Sequence, residues 1–179
     1  MKKLIIFVLI ASVCMFAGCG KNNTVSNEIP SDSKVSEKTD KIEETTEIVL
    51  YYPDNQGVFL CKEQRQIPAE NSENPEYVLR ELIKGTEDEK LSEVIPDTVQ
   101  INSCLAEDGL CTVDFSKEFF EIQGTASQEM AIYSVVNTLC EFENIDSVQF
   151  LIDGQKMDMF GNYDFASAFE ADLSFVKAQ

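Results

Sequence analysis

Histidine and tryptophan are both absent from the 179 residues of this chain. Histidine is the usual general base near neutral pH and the commonest ring-nitrogen metal ligand, so its absence makes much enzyme chemistry hard to build. Positive charge is also scarce, because 14 basic residues face 32 acidic ones and give a formal charge of −18. Such an acidic chain repels other anionic polymers, and we therefore expect no nucleic-acid binding.

The first residues have the pattern of a signal peptide. Two lysines precede an apolar run that ends at Phe16 and is short for a membrane span. Two small residues and Cys19 follow, in a stretch that resembles the lipobox of bacterial lipoproteins. We expect residues 1–18 to be removed and Cys19 to carry acyl chains such as palmitate. This anchor would hold the protein on the outer face of a Gram-positive cytoplasmic membrane; the alternative is a secreted protein or an uncleaved anchor.

The rest of the chain divides into a tether, one domain and a tail. Residues 19–47, which include the lipidated cysteine, are rich in polar side chains and predict a disordered tether. Residues 48–160 are enough for one ordinary domain with its own core. In the tail, residues 161–179, apolar side chains recur at roughly helical spacing, which predicts a short packed helix or a frayed end.

The order of apolar periodicities predicts the fold of the domain. Asn74 and Pro75 have the pattern of a helix start and Gly85 that of its end. A capping box at Thr125 predicts a second helix that runs to about Phe142. The full order is β-β-α-β-β-α-β-β. We predict an α+β, two-layer sandwich in which two helices cover one face of a single mixed β-sheet.

The hairpin between the helices has a predicted register. Placing Val99 opposite Phe115 and Ile101 opposite Val113 keeps both apolar sets on the buried face. On this register Cys104 points away from Cys111. A later hairpin is predicted to turn at Asp153 and Gly154 and to end in a strand over residues 155–160.

Four cysteines fall within the domain, and they can pair in three ways. Cys111 on a buried strand face and Cys140 on the second helix could meet in the core, which would leave Cys61 to pair with Cys104. The alternative is four free thiols that pack as small apolar side chains. No cysteine spacing indicates a metal site, and none is predicted.

Several segments together resemble the GerMN, or germane, domain family of bacterial spore and cell-surface lipoproteins. The resemblance spans about residues 48–157 and rests on Leu50-Tyr51-Tyr52-Pro53, Leu82-Ile83-Lys84-Gly85, Cys111-Thr112-Val113-Asp114-Phe115 and Phe150-Leu151-Ile152-Asp153-Gly154. It implies a non-catalytic module without a cofactor, found in sporulation and spore germination proteins. It also implies a fold similar to the ring-building motifs that oligomerise in sporulation channels.

Two kinds of binding function are compatible with these observations. The first is a protein-interaction and assembly module that offers a sheet edge or helix face to an unidentified envelope protein or to further copies of itself. The second is a receptor for a cell-wall polymer or small ligand, on a concave surface beside Tyr51 or Tyr52, of which one ring is expected at the surface. Calcium binding at Asp153, Asp158 and Asp164 is disfavoured, because their spacing does not fit an EF-hand.

Overall fold

The computed structural model describes residues 44–177, so the expectations for the signal peptide, for Cys19 and for most of the tether lie outside the described residues. The first strand begins at Thr45, three residues before the predicted start of the domain. The elements are β1 (Thr45–Pro53), β2 (Leu60–Pro68), α1 (Pro75–Ile83), β3 (Ile101–Glu107), β4 (Gly109–Phe115), α2 (Thr125–Leu139), β5 (Ile145–Ile152), β6 (Met159–Phe160), β7 (Tyr163–Asp164) and β8 (Phe169–Glu170).

The first helix begins and ends at the residues that the sequence indicates. The Asn74 side chain accepts a hydrogen bond from the Tyr77 amide, and Pro75 occupies the first helical position. Gly85, just beyond the helix, has a φ of 97°, which a residue with a Cβ rarely adopts. Val78, Leu79 and Leu82 are buried on one side of α1, as the apolar spacing predicts.

The main sheet is mixed and has the strand order β3-β4-β5-β8. Strands β4 and β5 are parallel, and α2 is the crossover between them. Their register places Val113 opposite Phe150, so that the apolar residues of both strands fall on the same face of the sheet. The predicted α+β class, with a mixed sheet and two helices, is confirmed.

Helix α2 lies at the centre of the domain. It packs on β5 and β8 of the mixed sheet, on α1, and also on β1. Even its polar residues Ser134, Asn137 and Thr138 are buried, and the Thr138 hydroxyl accepts a hydrogen bond from the backbone N–H of Tyr51 in β1. The predicted capping box is absent: Thr125 is already helical, and the Gln128 side chain donates to the carbonyl of Ile122.

Two parts of the predicted sheet are wrong. Strands β1 and β2 pair with each other and form a two-stranded sheet separate from the mixed sheet, with one further isolated bridge from Leu60 to Val176. The predicted strand over residues 155–160 does not pair along β5: after the tight turn at Asp153 and Gly154, only Gln155 bridges back to Ile152. Strand β8 takes that place instead, because Asp153 and Gly154 are held by β4 through Phe115 O and Asp114 Oδ1.

The predicted register of the β3–β4 hairpin is also wrong. Ile101 lies opposite Phe115, and Cys104 opposite Val113, with an irregularity between Ile101 and Ser103. The turn is the two residues Asp108 and Gly109, both with positive φ, which is the geometry of a type I′ hairpin. The irregularity shifts the pairing, so that Cys104 shares the buried face with Cys111.

Phenylalanines fill one end of the core. Phe115 and Phe119 stack with ring centroids 4.7 Å apart, and Phe150 and Phe165 stack at 4.9 Å. Phe165, in the predicted tail, is completely buried. The described part of the tail, residues 161–177, contains β7 and β8 and no helix, so the helix expected there is wrong, and this segment belongs to the core.

The tail is also fixed by two reciprocal hydrogen bonds. The buried Asn137 side chain in α2 donates to the carbonyl of Asp172 over 2.9 Å and accepts from its N–H over 3.0 Å. Further along, the N–H of Leu60 donates to the carbonyl of Phe175. The end of the described chain is thereby joined both to α2 and to β2.

We predict that Asn137→Ala lowers the free energy of unfolding by about 1–3 kcal/mol, because two backbone groups of Asp172 lose buried partners. Urea unfolding followed by circular dichroism measures this loss, and amide exchange at Leu60 should accelerate. Asn55→Ala, which removes an exposed bond to the carbonyl of Glu89, is the matched control. An equal loss of unfolding free energy in both variants would contradict a special role of the Asn137–Asp172 hydrogen bonds.

Candidate functional site

The four cysteines of the domain are thiols in the structure, and their arrangement differs from both predicted pairs. Cys104 Sγ lies 3.5 Å from Cys111 Sγ across the β3–β4 hairpin. The Cys111–Cys140 and Cys61–Cys104 pairs stay predictions. The contact that does exist follows from the corrected register.

The environment separates the acidities of these thiols. The hydrogen bond shared with Cys111, together with burial, raises the pKa of Cys104. The same hydrogen bond lowers the pKa of Cys111, against the effect of burial. Burial raises the pKa of Cys140 to about 11 and also raises that of Cys61.

Both tyrosines considered for ligand binding are buried. Tyr51 is 1% exposed and its hydroxyl donates to Glu141, while Tyr52 is 2% exposed and its hydroxyl donates to the carbonyls of Leu82 and Gly85. Burial raises the pKa of both phenols. The expectation that one ring lies at the surface is wrong, and neither ring can stack on a sugar.

A buried arginine lies behind Tyr52. Arg65 of β2 is 6% exposed and forms an ion pair with Glu63, and its guanidinium donates to the carbonyls of Glu81 and Gly85. Glu63 in turn accepts from the hydroxyl of Thr86. Because carbonyls at the end of a helix carry partial negative charge, the guanidinium holds the C-terminus of α1 against β2.

Sequence reasoning missed this network, although one signal was present. In β2, Glu63, Arg65 and Ile67 occupy the same side of the strand and are all buried. Glu63 and Arg65 have opposite charges and lie on the same side of the strand as the apolar Ile67. This pattern is typical of a buried ion pair and not of a solvent-exposed strand face. The role of the network is structural: it orders the loop from Gly85 to Lys90.

The cleft beside the start of β1 is concave and acidic. It has a volume of about 620 Å³ and is lined by Ile48, Val78 and Phe142 together with polar side chains. Four of the lining residues are carboxylic acids, namely Glu47, Glu73, Glu141 and Glu143. Its size is that of a ligand pocket, but its charge disfavours anionic polymers.

The outer edge of the mixed sheet is formed by β3. Within the described residues β3 has β4 as its single strand neighbour, so a row of its backbone groups is free to pair with another chain. Proteins commonly protect such edges with lysine or proline, and β3 contains neither. Leu105 in β3 is 64% exposed, and Leu110 at the start of β4 is 37% exposed.

A groove adjoins the beginning of this edge. Ile83 at the end of α1 and Ile101 at the start of β3 line it, together with Arg80 and Lys84, and its volume is about 580 Å³. The two cations carry ion pairs with Glu76 and Glu81. Edge and groove together form the one surface of the described residues that combines free strand groups, exposed leucines and basic side chains.

The described residues show little that resembles a catalytic or metal centre. Between Glu44 and Lys177, no three Cys, Asp or Glu side chains converge in an arrangement that could hold a metal ion. Asp164 is occupied with the amide of Ala166 and the hydroxyl of Ser167, and Asp153 lies in its turn. In the same range no helix is long and apolar enough to cross a membrane.

The comparison with known families and proteins gives a consistent result. A profile of the family described as Germane, sporulation and spore germination, matches residues 49–158. Spore germination protein GerM of Bacillus subtilis is 27% identical over 150 residues, which cover 79% of this chain and 39% of that protein. The chain therefore spans about two fifths of the length of this curated relative. The GerMN resemblance seen in the sequence is confirmed.

Three solved structures share the fold. The tandem GerMN domains of the sporulation protein GerM from Bacillus subtilis match with a TM-score of 0.62 and 19% identity, over 80% of this chain and 51% of that one. The first GerMN domain of the same protein gives 0.60 and 20% over 72% and 98%. A Clostridium perfringens protein assigned as a lipoprotein gives 0.50 and 20% over 70% and 87%.

We predict that Arg65→Met lowers the free energy of unfolding by about 3–5 kcal/mol, because it leaves the buried carboxylate of Glu63 without its cation. Arg80→Met, which removes a solvent-exposed pair with Glu76, is the matched control and should cost about 0.5 kcal/mol or less. Urea unfolding measures both. Similar small losses in the two variants would show that the buried pair has no special structural weight.

Proposed function

The chain belongs to the Germane family of sporulation and spore germination proteins, and from this premise we propose that it is a non-catalytic, lipid-anchored protein-interaction module of the cell envelope. Cys19 is the proposed lipidation site, and the outer face of the cytoplasmic membrane the proposed location. A structural relative from Clostridium perfringens whose description names it as a candidate lipoprotein supports this location. The partner is a protein that acts in sporulation, in germination or in the vegetative envelope.

The observation that carries this proposal is the open edge of β3. A strand edge recognises an extended segment of another protein through main-chain hydrogen bonds, while side-chain pockets supply specificity. The exposed Leu105 adds apolar contact area on the sheet face beside this edge. The groove between Ile83 and Ile101 lies beside it, and its volume of about 580 Å³ can take a side chain of the added segment.

The charge of the domain supports a protein partner over an anionic polymer. The chain is strongly acidic, and an anionic wall polymer or nucleic acid would be repelled over most of the surface. At the β3 edge, Arg80 and Lys84 line the groove. A partner segment with an apolar side chain and a neighbouring carboxylate would complement this site. A second copy of the chain is the other source of such a strand.

The absence of histidine from the sequence supports the non-catalytic assignment. In the described residues, the groups with perturbed pKa values are mainly tyrosines and cysteines. Their pKa shifts are caused by burial and by local hydrogen bonds. The charged network around Arg65 is used for structure. A receptor function in the acidic cleft is the second candidate, favoured by the volume of 620 Å³, and it would suit a cationic or hydroxyl-rich ligand.

We predict that Leu105→Lys lowers recovery of the cross-linked partner from envelopes about tenfold, which corresponds to about 1.4 kcal/mol. A lysine in an edge strand opposes strand addition because its charge would have to be desolvated. Leu173→Lys, at a residue 56% exposed outside this edge, is the matched control. Undiminished recovery with Leu105→Lys, and binding of a soluble wall glycan instead, would favour the receptor.

A further inference from the structure

The β3–β4 hairpin brings two thiols together at a place that neither predicted pairing uses. Cys104 and Cys111 are 8% and 0% exposed, and their sulfur atoms are 3.5 Å apart. Cys61 and Cys140 are both more exposed. The close pair is therefore the one that burial and distance select from the four cysteines.

The strand pairing places these two residues close together on one face. Cys104 lies opposite Val113 and Cys111 lies opposite Ala106, so the cysteines are diagonal neighbours on the buried face of the hairpin. A disulfide requires a sulfur separation of about 2.05 Å, and the sulfurs must therefore approach by about 1.5 Å. Diagonal neighbours reach this geometry through a local shift of the hairpin backbone, and β3, which pairs on one side only within the described residues, can shift without breaking a second strand interface.

We propose that Cys104 and Cys111 are a disulfide site, and that an external disulfide is the oxidant. One thiolate attacks a sulfur of the donor, forms a mixed disulfide and releases one donor thiolate. The second cysteine of the pair then attacks the mixed disulfide, forms the Cys104–Cys111 bond and releases the second donor thiolate. Both cysteine protons leave as the donor becomes a dithiol, so the donor is reduced by the two electrons that the cysteines lose.

In a cell the disulfide donor would be an extracytoplasmic thiol oxidoreductase or a small-molecule disulfide. This cellular role rests on the proposed function, because it requires that the chain is exported. The reaction takes place during folding, before α1 and α2 cover this face of the hairpin. A bond here closes the hairpin across its turn at Asp108 and Gly109.

The bond would fix the register of the edge strand. A one-residue slip of β3 would turn Cys104 to the outer face of the sheet, and a bond to Cys111 prevents this. Because β3 is the strand proposed to receive the partner, oxidation would hold its free backbone groups at constant positions. The reduced hairpin keeps the same fold and relies on packing alone.

Cleavage after glutamate tests the pairing directly, because it places the four domain cysteines on four different peptides. Cys104 falls in residues 94–107 and Cys111 in residues 108–118, since Glu107 lies between them; Cys61 falls in residues 48–63 and Cys140 in residues 130–141. The full chain, purified reduced and unfolded, is refolded in the presence of oxidised glutathione, alkylated in denaturant and digested. We expect the 94–107 and 108–118 peptides to remain joined until they are reduced.

Two other results would overturn the proposal: separate alkylation of both peptides, or their linkage to the peptides of Cys61 or Cys140. In the Cys104→Ser variant Cys111 should become fully alkylated, and it should not pair with Cys140. Cys61→Ser is the matched control and should leave the 94–107 to 108–118 link unchanged. Circular dichroism checks that each variant is folded.

A second set of measurements tests formation of the Cys104–Cys111 bond separately from the proposed export of the chain. The thermal midpoint of the glutathione-oxidised chain should fall on addition of dithiothreitol, and it should fall in Cys61→Ser but not in Cys104→Ser. An unchanged midpoint in the wild-type chain would overturn a register-fixing bond. Alkylation of the chain taken directly from producing cells then reports whether it meets an oxidant: linkage in vitro with free thiols in the cell would contradict the export and leave the bond itself standing.

Discussion

The parallel pairing of β4 with β5 is the constraint on which the rest of the domain depends. Parallel neighbours need a crossover, and α2 supplies it. The crossover places α2 on the apolar face of the sheet, where Val113 and Phe150 lie opposite each other. Since α2 is apolar or small on nearly every side, it cannot face water on its far side. The β1–β2 hairpin and α1 cover it, and the domain closes around a single central helix.

This central helix explains why two polar residues are buried in it without loss. Thr138 accepts from the edge of β1 at Tyr51, and Asn137 holds both backbone groups of Asp172. Each of these side chains is hydrogen-bonded to the backbone of a strand or a loop, which offsets the free-energy cost of burying a polar group. The helix thus joins the first strand and the last described segment, which are far apart in sequence, through side-chain hydrogen bonds.

The sequence predicts the parts of the fold that depend on local signals. Asn74, Pro75 and Gly85 define α1 because caps are short-range chemistry. The separation of β1 and β2 from the mixed sheet could not be predicted, since a strand whose edge meets a helix has the same composition as one in a sheet. The prediction of the β3 register was wrong because the irregularity near Ile101 does not change the pattern of apolar residues in the sequence. Strand β8 has two residues, too few for any periodicity.

The candidate site shows the same division. The family can be argued from motifs, because motifs are properties of residue types at fixed spacings. The open edge of β3 cannot, since it depends on which strand lacks a second neighbour, and that is decided by the whole topology. Tyr51 and Tyr52 were misplaced for a related reason: alternation would put one ring outside, but β1 is covered on one side by α2 and meets Arg65 on the other.

The antiparallel pairing of β1 with β2 has a mechanical consequence. Thr45, the first residue of β1, lies opposite Pro68 at the far end of β2. A force that pulls on the chain ahead of Thr45 loads the hairpin from this end, so its hydrogen bonds are strained one after another, as in a zipper, rather than all together in shear. The strand meets the core at Ile48 and Leu50, which are buried, and at Tyr51 it is bonded to Thr138 of the central helix. The strand pairs ahead of Ile48 would therefore separate before the core is loaded.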